Sequence, residues 1–204
     1  MNLALIFAGG TGTRMNSKTK PKQFLELNGK PIIIHTIELF ESHPEIDAIA
    51  VVCLESWIGY LNELLERFRI KKVKYVVPGG ETGQQSIRNG LTAFWDDQDI
   101  PRDSLVLIHD GVRPLINEDI ITRSIECAKQ YGNAITVTPA IETIITVSED
   151  DSVDQIMDRS KCRMARAPQT FRLCDIVEAH NKAIADGALN MICLLYTSDA
   201  ADEL

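Results

Sequence analysis

The sequence predicts an α/β protein of three layers, with a mostly parallel sheet between two layers of helices, and three observations carry that prediction. Short, almost continuous apolar runs, Leu3 to Phe7, Ala48 to Leu54, Val73 to Val77 and Leu105 to Ile108, read as strands covered on both faces. Helical periodicity lies between them, as in Trp57, Leu61, Leu64, Leu65 and Phe68. Turns that carry glycine follow the runs directly, at Ala8-Gly9-Gly10, at Gly79-Gly80 and at His109-Asp110-Gly111-Val112-Arg113. In such folds ligands bind beyond the carboxyl ends of the strands, so these turns are expected to converge on one edge.

Taken in order, the first strand empties into Ala8 to Met15, followed by Lys20-Pro21-Lys22-Gln23. Phe24 to Leu27 reads as a short extended piece and Asn28-Gly29-Lys30 as a turn. Pro31 then opens a helix to about Ser42, a position that suits proline. Trp57 to Phe68 is a second helix, with Trp57 expected in packing rather than against a ligand. Ser86 to Phe94 is a third, followed by the solvated acidic loop Asp96-Asp97-Gln98-Asp99. Asn117 caps a fourth, with Glu118 and Asp119 in its first turn and Gly132-Asn133 at its end. From Ala134 the rhythm changes. Ile135 to Val137 reads as a strand, and Glu142 to Val147 and Val153 to Met157 read as a hairpin around Ser148-Glu149-Asp150-Asp151. A lone hairpin is marginal in water, which leaves two outcomes open, a dimerisation arm or a hairpin packed on its own subunit. Gln169 to Phe171 is extended and Asp175 to Asp186 helical.

At 204 residues and 45% hydrophobic content the chain can bury one good core, so a single domain is expected. A net charge of -8 argues against a nucleic-acid partner, which would require a basic face. The cysteines Cys53, Cys127, Cys162, Cys174 and Cys193 are odd in number and form no Cys-x-x-Cys pair. They suit a reducing compartment and neither a disulfide framework nor a zinc site. The first apolar run is too short for a signal or membrane segment, so a soluble cytoplasmic protein is expected.

The chemistry starts at the first loop. Glycines let backbone N–H groups approach anionic oxygens, and Arg14 and Lys22 add full charges that stabilise developing negative charge. The spacing fits neither a P-loop nor a dinucleotide fingerprint. Asp110 ends a buried strand. It can hold a magnesium ion on triphosphate oxygens while Arg113 binds a second phosphate, or it can form an ion pair with Arg113 that fixes the loop. Gly79-Gly80-Glu81 with Ser86 is a second glycine corner. It can read the edge of a base, with Ser86 as a contact, or Ser86 can be a helix cap. His109 has no acyl-transfer partners and reads as structural.

Together Ala8 to Met15, Pro21-Lys22-Gln23, Gly79-Gly80 with Ser86, His109 to Pro114, Asp158-Arg159 and Pro168-Gln169 resemble, in order, the motifs of cytidylyltransferases that make CDP-alditols. That family includes the enzymes acting on 2-C-methyl-D-erythritol 4-phosphate and on ribitol 5-phosphate. The resemblance runs from about residue 2 to 192 and implies a Rossmann-like nucleotidyltransferase fold. It implies CTP bound by Ala8, Gly9, Gly80 and Ser86 at its base and along Gly10, Gly12 and Arg14 at its phosphates. Arg14 and Lys22 would be catalytic, stabilising charge at the α-phosphorus, and Asp110 would hold Mg2+. Arg113, Thr143 and Arg159 would hold the alditol phosphate, with Arg159 supplied across a homodimer by the hairpin arm, residues 141 to 157.

Where methylerythritol enzymes begin Ala-Ala-Gly this chain has Ala8-Gly9-Gly10, as in the ribitol enzymes, and Ala167 stands where they have threonine. Ribitol phosphate is therefore the favoured substrate. Residues 193 to 204 resemble translated sequencing-adaptor sequence and are expected to be foreign to the native chain. A domain of residues 1 to 192 that lacks its last strand is in turn expected to be unstable or poorly active. Two other readings stand beside this one: a nucleotidyltransferase for another sugar phosphate, and a non-catalytic nucleotide-binding relative.

Overall fold

The computed structural model describes residues 1–9 and 20–187, so Gly10, Gly12, Arg14 and the chain after 187 lie outside the described residues. Strand β1 (Asn2–Ala8) is followed by a 3-10 turn (Lys22–Phe24), the strand pair β2 (Glu26–Leu27) and β3 (Lys30–Pro31), and helix α1 (Ile32–Ser42). Then come β4 (Ala48–Cys53), α2 (Ile58–Arg67), β5 (Val73–Pro78), α3 (Gly83–Trp95), β6 (Leu105–Asp110) and α4 (Glu118–Tyr131). The chain continues through β7 (Asn133–Pro139), β8 (Ile145–Val147), β9 (Val153–Ile156), β10 (Arg163–Arg172) and α5 (Leu173–Ala185).

The central sheet has the order β5-β4-β1-β6-β10-β7. β5, β4, β1 and β6 are parallel, and β10 runs antiparallel to both β6 and β7. Side chains alternate across a strand, and the core divides accordingly. Ala4 and Ile6 pack with Ile33, Ile37, Phe40, Leu61, Leu64, Ile121 and Ile125, the faces of α1, α2 and α4. Leu3 and Leu5 pack with Ile87, Leu91, Phe94 and Ile176, from α3 and α5. Every residue of β4 is buried, as its unbroken apolar run requires. The expected three layers and mostly parallel sheet are both present.

Several local expectations shift. Phe24 lies in a 3-10 turn rather than an extended piece, because its ring stacks on Trp57 at 4.9 Å and meets Tyr60 edge-on at 5.4 Å. Trp57 is thus in packing, as expected. Pro31 caps α1 in an extended conformation and lends its preceding backbone to the β2–β3 pair. Helix α3 starts at Gly83, earlier than Ser86, because Thr82 is its cap. Asn117 caps α4 by accepting from Ile120 N at 3.0 Å, and Gly132 ends it in the left-handed region at φ 90°. β10 spans ten residues where the sequence shows only Gln169 to Phe171 as extended, since its first half has no apolar alternation and Arg163, Met164 and Ala165 are exposed.

Candidate active site

The carboxyl ends of β5, β4, β1 and β6 form the floor of the site. Register places Pro78 beside Cys53, Cys53 beside Ala8, and Phe7 beside Asp110. The turns after these strands therefore do leave from one edge, within roughly 14 Å at about 4.8 Å per strand step.

At one side two glycine loops touch. A Cβ on Gly9 would sit 3.0 Å from Ser86 Oγ and 3.3 Å from Gly79 Cα, so the loops meet this closely because glycine adds no side chain, and a larger residue would push Ser86 or Gly79 back by a few tenths of an ångström. Ser86 Oγ accepts from Gly80 N at 3.0 Å and donates to Thr82 O at 2.9 Å. The helix cap is instead Thr82, whose hydroxyl accepts from Gln85 N at 3.1 Å. The cap reading of Ser86 therefore gives way: the buried serine is a post that holds the Gly79-Gly80 corner against Gly9.

Next to this corner, Lys22 rides on the 3-10 turn. Gln23 is buried and donates from Nε2 to Ala8 O at 2.7 Å, tying that turn to the end of β1. Phe24 is locked by Trp57 and Tyr60 on the other side, and the Lys20 ammonium lies over the Tyr60 ring at 5.2 Å. Lys22 thus sits on a backbone held at both flanks. The tether made by Gln23 carries no signal in hydrophobic periodicity; its place in Pro21-Lys22-Gln23 is the sole trace of it.

The third piece is the turn after β6. The strand runs through His109 and Asp110 rather than stopping at Ile108, which puts His109 fully inside the core. Asp110 receives Val112 N on Oδ1 at 3.1 Å and Arg113 Nε on Oδ2 at 3.1 Å. The ion pair weighed from sequence is present, with the Arg113 side chain 55% exposed and that of Asp110 22%. A carboxylate offers about four lone-pair positions, so two remain for a metal or a phosphate-bound water. Magnesium is commonly held by one or two carboxylates plus substrate phosphates, and Asp110 fits that pattern. Among the described residues no cluster of three His, Cys, Asp or Glu side chains forms a ready metal cage.

Burial governs the remaining titratable groups here. It pushes the His109 imidazole below its ordinary pKa, and the fully buried ring has no surface from which to reach a substrate proton. It pushes the Cys53 thiol up to about 11, which leaves that thiol protonated and inert.

Thr143 and Arg159 belong to a different part of the molecule, the stem of the β8–β9 hairpin. Arg159 donates from Nη1 to Ile141 O at 3.0 Å, and Asp158 caps the turn that carries it by accepting from Ser160 N at 3.0 Å. Among the described residues no hydrogen bond joins Thr143 or Arg159 to Lys22, Asp110 or Arg113. Arg14, Gly10 and Gly12 lie outside the described residues.

The model of the family described as 2-C-methyl-D-erythritol 4-phosphate cytidylyltransferase matches residues 2–194. The chain is 57% identical over 186 residues to a ribitol-5-phosphate cytidylyltransferase of Vibrio parahaemolyticus, covering 91% of this chain and 77% of that one. It is 50% identical over 192 residues to the protein of that name in Streptococcus agalactiae, covering 94% and 79%. A 2-C-methyl-D-erythritol 4-phosphate cytidylyltransferase of Clostridium acetobutylicum is 40% identical over 190 residues, covering 93% and 80%. Among solved structures, the 4-diphosphocytidyl-2C-methyl-D-erythritol synthase of Anaerococcus prevotii superposes with a TM-score of 0.81 at 24% identity, over 98% of this chain and 82% of that one, a likeness of fold.

Proposed function

We propose, since this chain belongs to the 2-C-methyl-D-erythritol 4-phosphate cytidylyltransferase family, that it transfers the cytidylyl group of CTP to an alditol phosphate and releases pyrophosphate. The observation that carries the reading is the convergence of the Gly9–Gly80 corner, the Lys22 turn and the Asp110–Arg113 turn on one sheet edge. Ribitol 5-phosphate is the proposed acceptor. Two relatives that carry its name, from Vibrio parahaemolyticus and Streptococcus agalactiae, are 57% and 50% identical, against 40% for the methylerythritol-named protein of Clostridium acetobutylicum.

In the proposed reaction an oxygen of the alditol phosphate attacks the α-phosphorus of CTP, a new phosphorus–oxygen bond forms, and the bond to the β-phosphate breaks. The attacking oxygen is already ionised at neutral pH, so no side chain need remove a proton and positioning with electrostatics can carry the rate. Backbone groups at Gly9 and Gly80, braced by Ser86, border the base. Lys22, together with Arg14, stabilises the charge that gathers on the α-phosphoryl oxygens. Arg113 holds the acceptor phosphate by charge-assisted hydrogen bonds. Magnesium, when bound at Asp110, would neutralise the triphosphate and favour departure of pyrophosphate.

We further propose a homodimer formed through the hairpin. Ile141, Ile145, Val147, Val153, Ile156 and Met157 are all exposed, an apolar surface that one subunit does not cover. A partner seated there brings Thr143 and Arg159 to the other subunit's site. Cys53, Cys127, Cys162 and Cys174 are free, which suits the cytoplasm as the compartment. Among the described residues no helix is long and apolar enough to cross a membrane.

The test is pyrophosphate release with CTP, Mg2+ and each alditol phosphate in separate reactions. Release with ribitol 5-phosphate is expected. Release with the methylerythritol phosphate alone reassigns the acceptor, and release with neither rejects the reading.

A further inference from the structure

The buried side chains under the Asp110–Arg113 turn have no part in the reaction just described, yet two of them direct a hydrogen bond at that turn. His109 and Thr36 are both fully buried. His109 Nε2 lies 2.9 Å from Arg113 O, and a carbonyl can only accept, so Nε2 carries the hydrogen and donates it. That choice leaves Nδ1 as a lone pair with no hydrogen-bond partner among the described residues. Thr36 Oγ1 donates to Gly111 O at 3.0 Å across a sequence separation of 75 residues.

Helix α1 supports both braces, carrying Thr36 and packing Phe40 against the His109 ring of β6. Thr36 and Phe40 lie four residues apart and so on one face of it. Thr36 pins the Gly111 carbonyl, and the Phe40 ring packs against the His109 ring at 5.3 Å between centroids. The turn itself has no slack. Gly111 N donates to Phe7 O at 3.0 Å, Arg113 N to Asp110 O at 3.1 Å, and a Cβ on Gly111 would come 2.9 Å from that of Ala8. The same helix is tied to the Lys22 turn, since Ile32 N donates to Leu25 O at 2.9 Å. One rigid element thus fixes both the lysine turn and the aspartate–arginine turn.

We infer that His109 and Thr36 are positioning residues, an imidazole N–H and a hydroxyl that hold the Arg113 and Gly111 carbonyls so that Asp110 and Arg113 present their charges to the phosphates. The inference rests on the proposed role of Asp110 and Arg113, and it explains why a polar ring is kept in the core at the expense of one unpaired nitrogen. Thr36 acts on the backbone between the two charged residues and His109 on the carbonyl of Arg113 itself, where a displacement of about 1 Å costs on the order of 100-fold in rate.

Three variants of the 204-residue chain test it: His109→Phe keeps a buried ring without the donor, His109→Gln restores an N–H of similar reach, and Thr36→Val keeps the shape without the hydroxyl. In hydrogen exchange, His109→Phe is expected to speed the Val112 and Arg113 amides about ten-fold or more, with the Leu5 and Val106 amides unchanged. In steady-state kinetics the KM for the alditol phosphate rises about ten-fold while that for CTP moves by less than about three-fold. His109→Gln is expected to recover most of both effects, and Thr36→Val to show the same pattern at about a third of the size. Unchanged turn amides in His109→Phe and Thr36→Val overturn the inference. So does equal acceleration across the core, which marks a purely structural residue, or a His109→Gln no better than His109→Phe. If His109→Phe does not fold, Thr36→Val decides by the same readings. A wild-type chain that releases no pyrophosphate with either acceptor rejects the proposed reaction, and the exchange measurements still decide the brace.

Discussion

The turn after β6 and the β8–β9 hairpin are both short excursions from one sheet, and they are held in opposite ways. The turn from Asp110 to Arg113 has its amides, carbonyls and carboxylate tied to β1, to α1 and to itself. Every residue of β8 and β9 is exposed, and Ile156 keeps 69% of its surface in solvent. The first is complete within one subunit. The second is two strands of three and four exposed residues, a length that is marginal in water without further packing. The proposed chemistry depends on charges placed to within an ångström and falls on the rigid piece, while the exposed piece carries the apolar surface proposed to meet a second copy.

The largest effect is expected on the rigid side. Lys22→Ala should lower kcat/KM by about 100- to 1,000-fold, the usual loss of a charge aimed at a transition state, while the thermal midpoint stays near that of the wild type. Arg14→Ala is expected to act in the same way and by orders of magnitude. Normal turnover by either variant would reject its catalytic assignment. One step deeper, Leu107→Ala opens a cavity in the fully buried β6 beneath the turn. It should cost about 2–5 kcal/mol in urea unfolding. The same truncation on the hairpin should cost almost nothing, and a large loss there would erase the contrast.

On the exposed side, Ile145→Asp with Ile156→Asp is expected to convert dimer to monomer in sedimentation velocity, with circular dichroism and urea midpoint little changed. A variant that stays dimeric, or a wild type that is monomeric, removes the arm from the assembly. Activity lost together with the dimer would sharpen the comparison, since Arg159 would then act in the partner's site.

The smallest expected effect concerns pH. His180 is buried with neither ring nitrogen paired among the described residues, and burial, with a lesser push from Arg88, lowers its pKa from 6.5 to about 4. The unfolded chain takes up a proton near pH 6.5 and the folded chain does so only near pH 4. Stability is therefore full above pH 6.5 and falls as pH drops towards 4, by about 1.4 kcal/mol per unit at most. Burial depresses His109 in the same direction. His180→Phe should flatten the fall of the urea midpoint between pH 6.5 and 4, and a curve as steep as the wild type's would show that other groups dominate.

Most of the sheet was legible because β1, β4 and β6 are unbroken apolar runs that only a doubly covered strand can satisfy. The caps of α4 were legible because Asn117 and Gly132 act on their own neighbours. Half of β10 was not. Its residues from Arg163 to Arg166 bear no apolar pattern, and they are extended because β7 pairs with them. The site divides in the same way. Asp110, Arg113 and the glycine loops announce themselves by residue type after a strand, whereas Ser86 shows two plausible uses in the sequence and its actual one needs the position of Gly9.

By itself the sequence determined the layers, the strand edge where the turns meet, and the residues able to handle phosphate. These follow from periodicity, from glycine's lack of a side chain and from charge, which are local properties. The tertiary structure decided the reversal of β10, the tether from Gln23 to Ala8, the support of Gly111 by Thr36 and the use of the His109 ring as a donor. Each of those joins groups whose pairing depends on a backbone placed by the rest of the fold, and no spacing along the chain records a hydrogen bond that closes only when the core does.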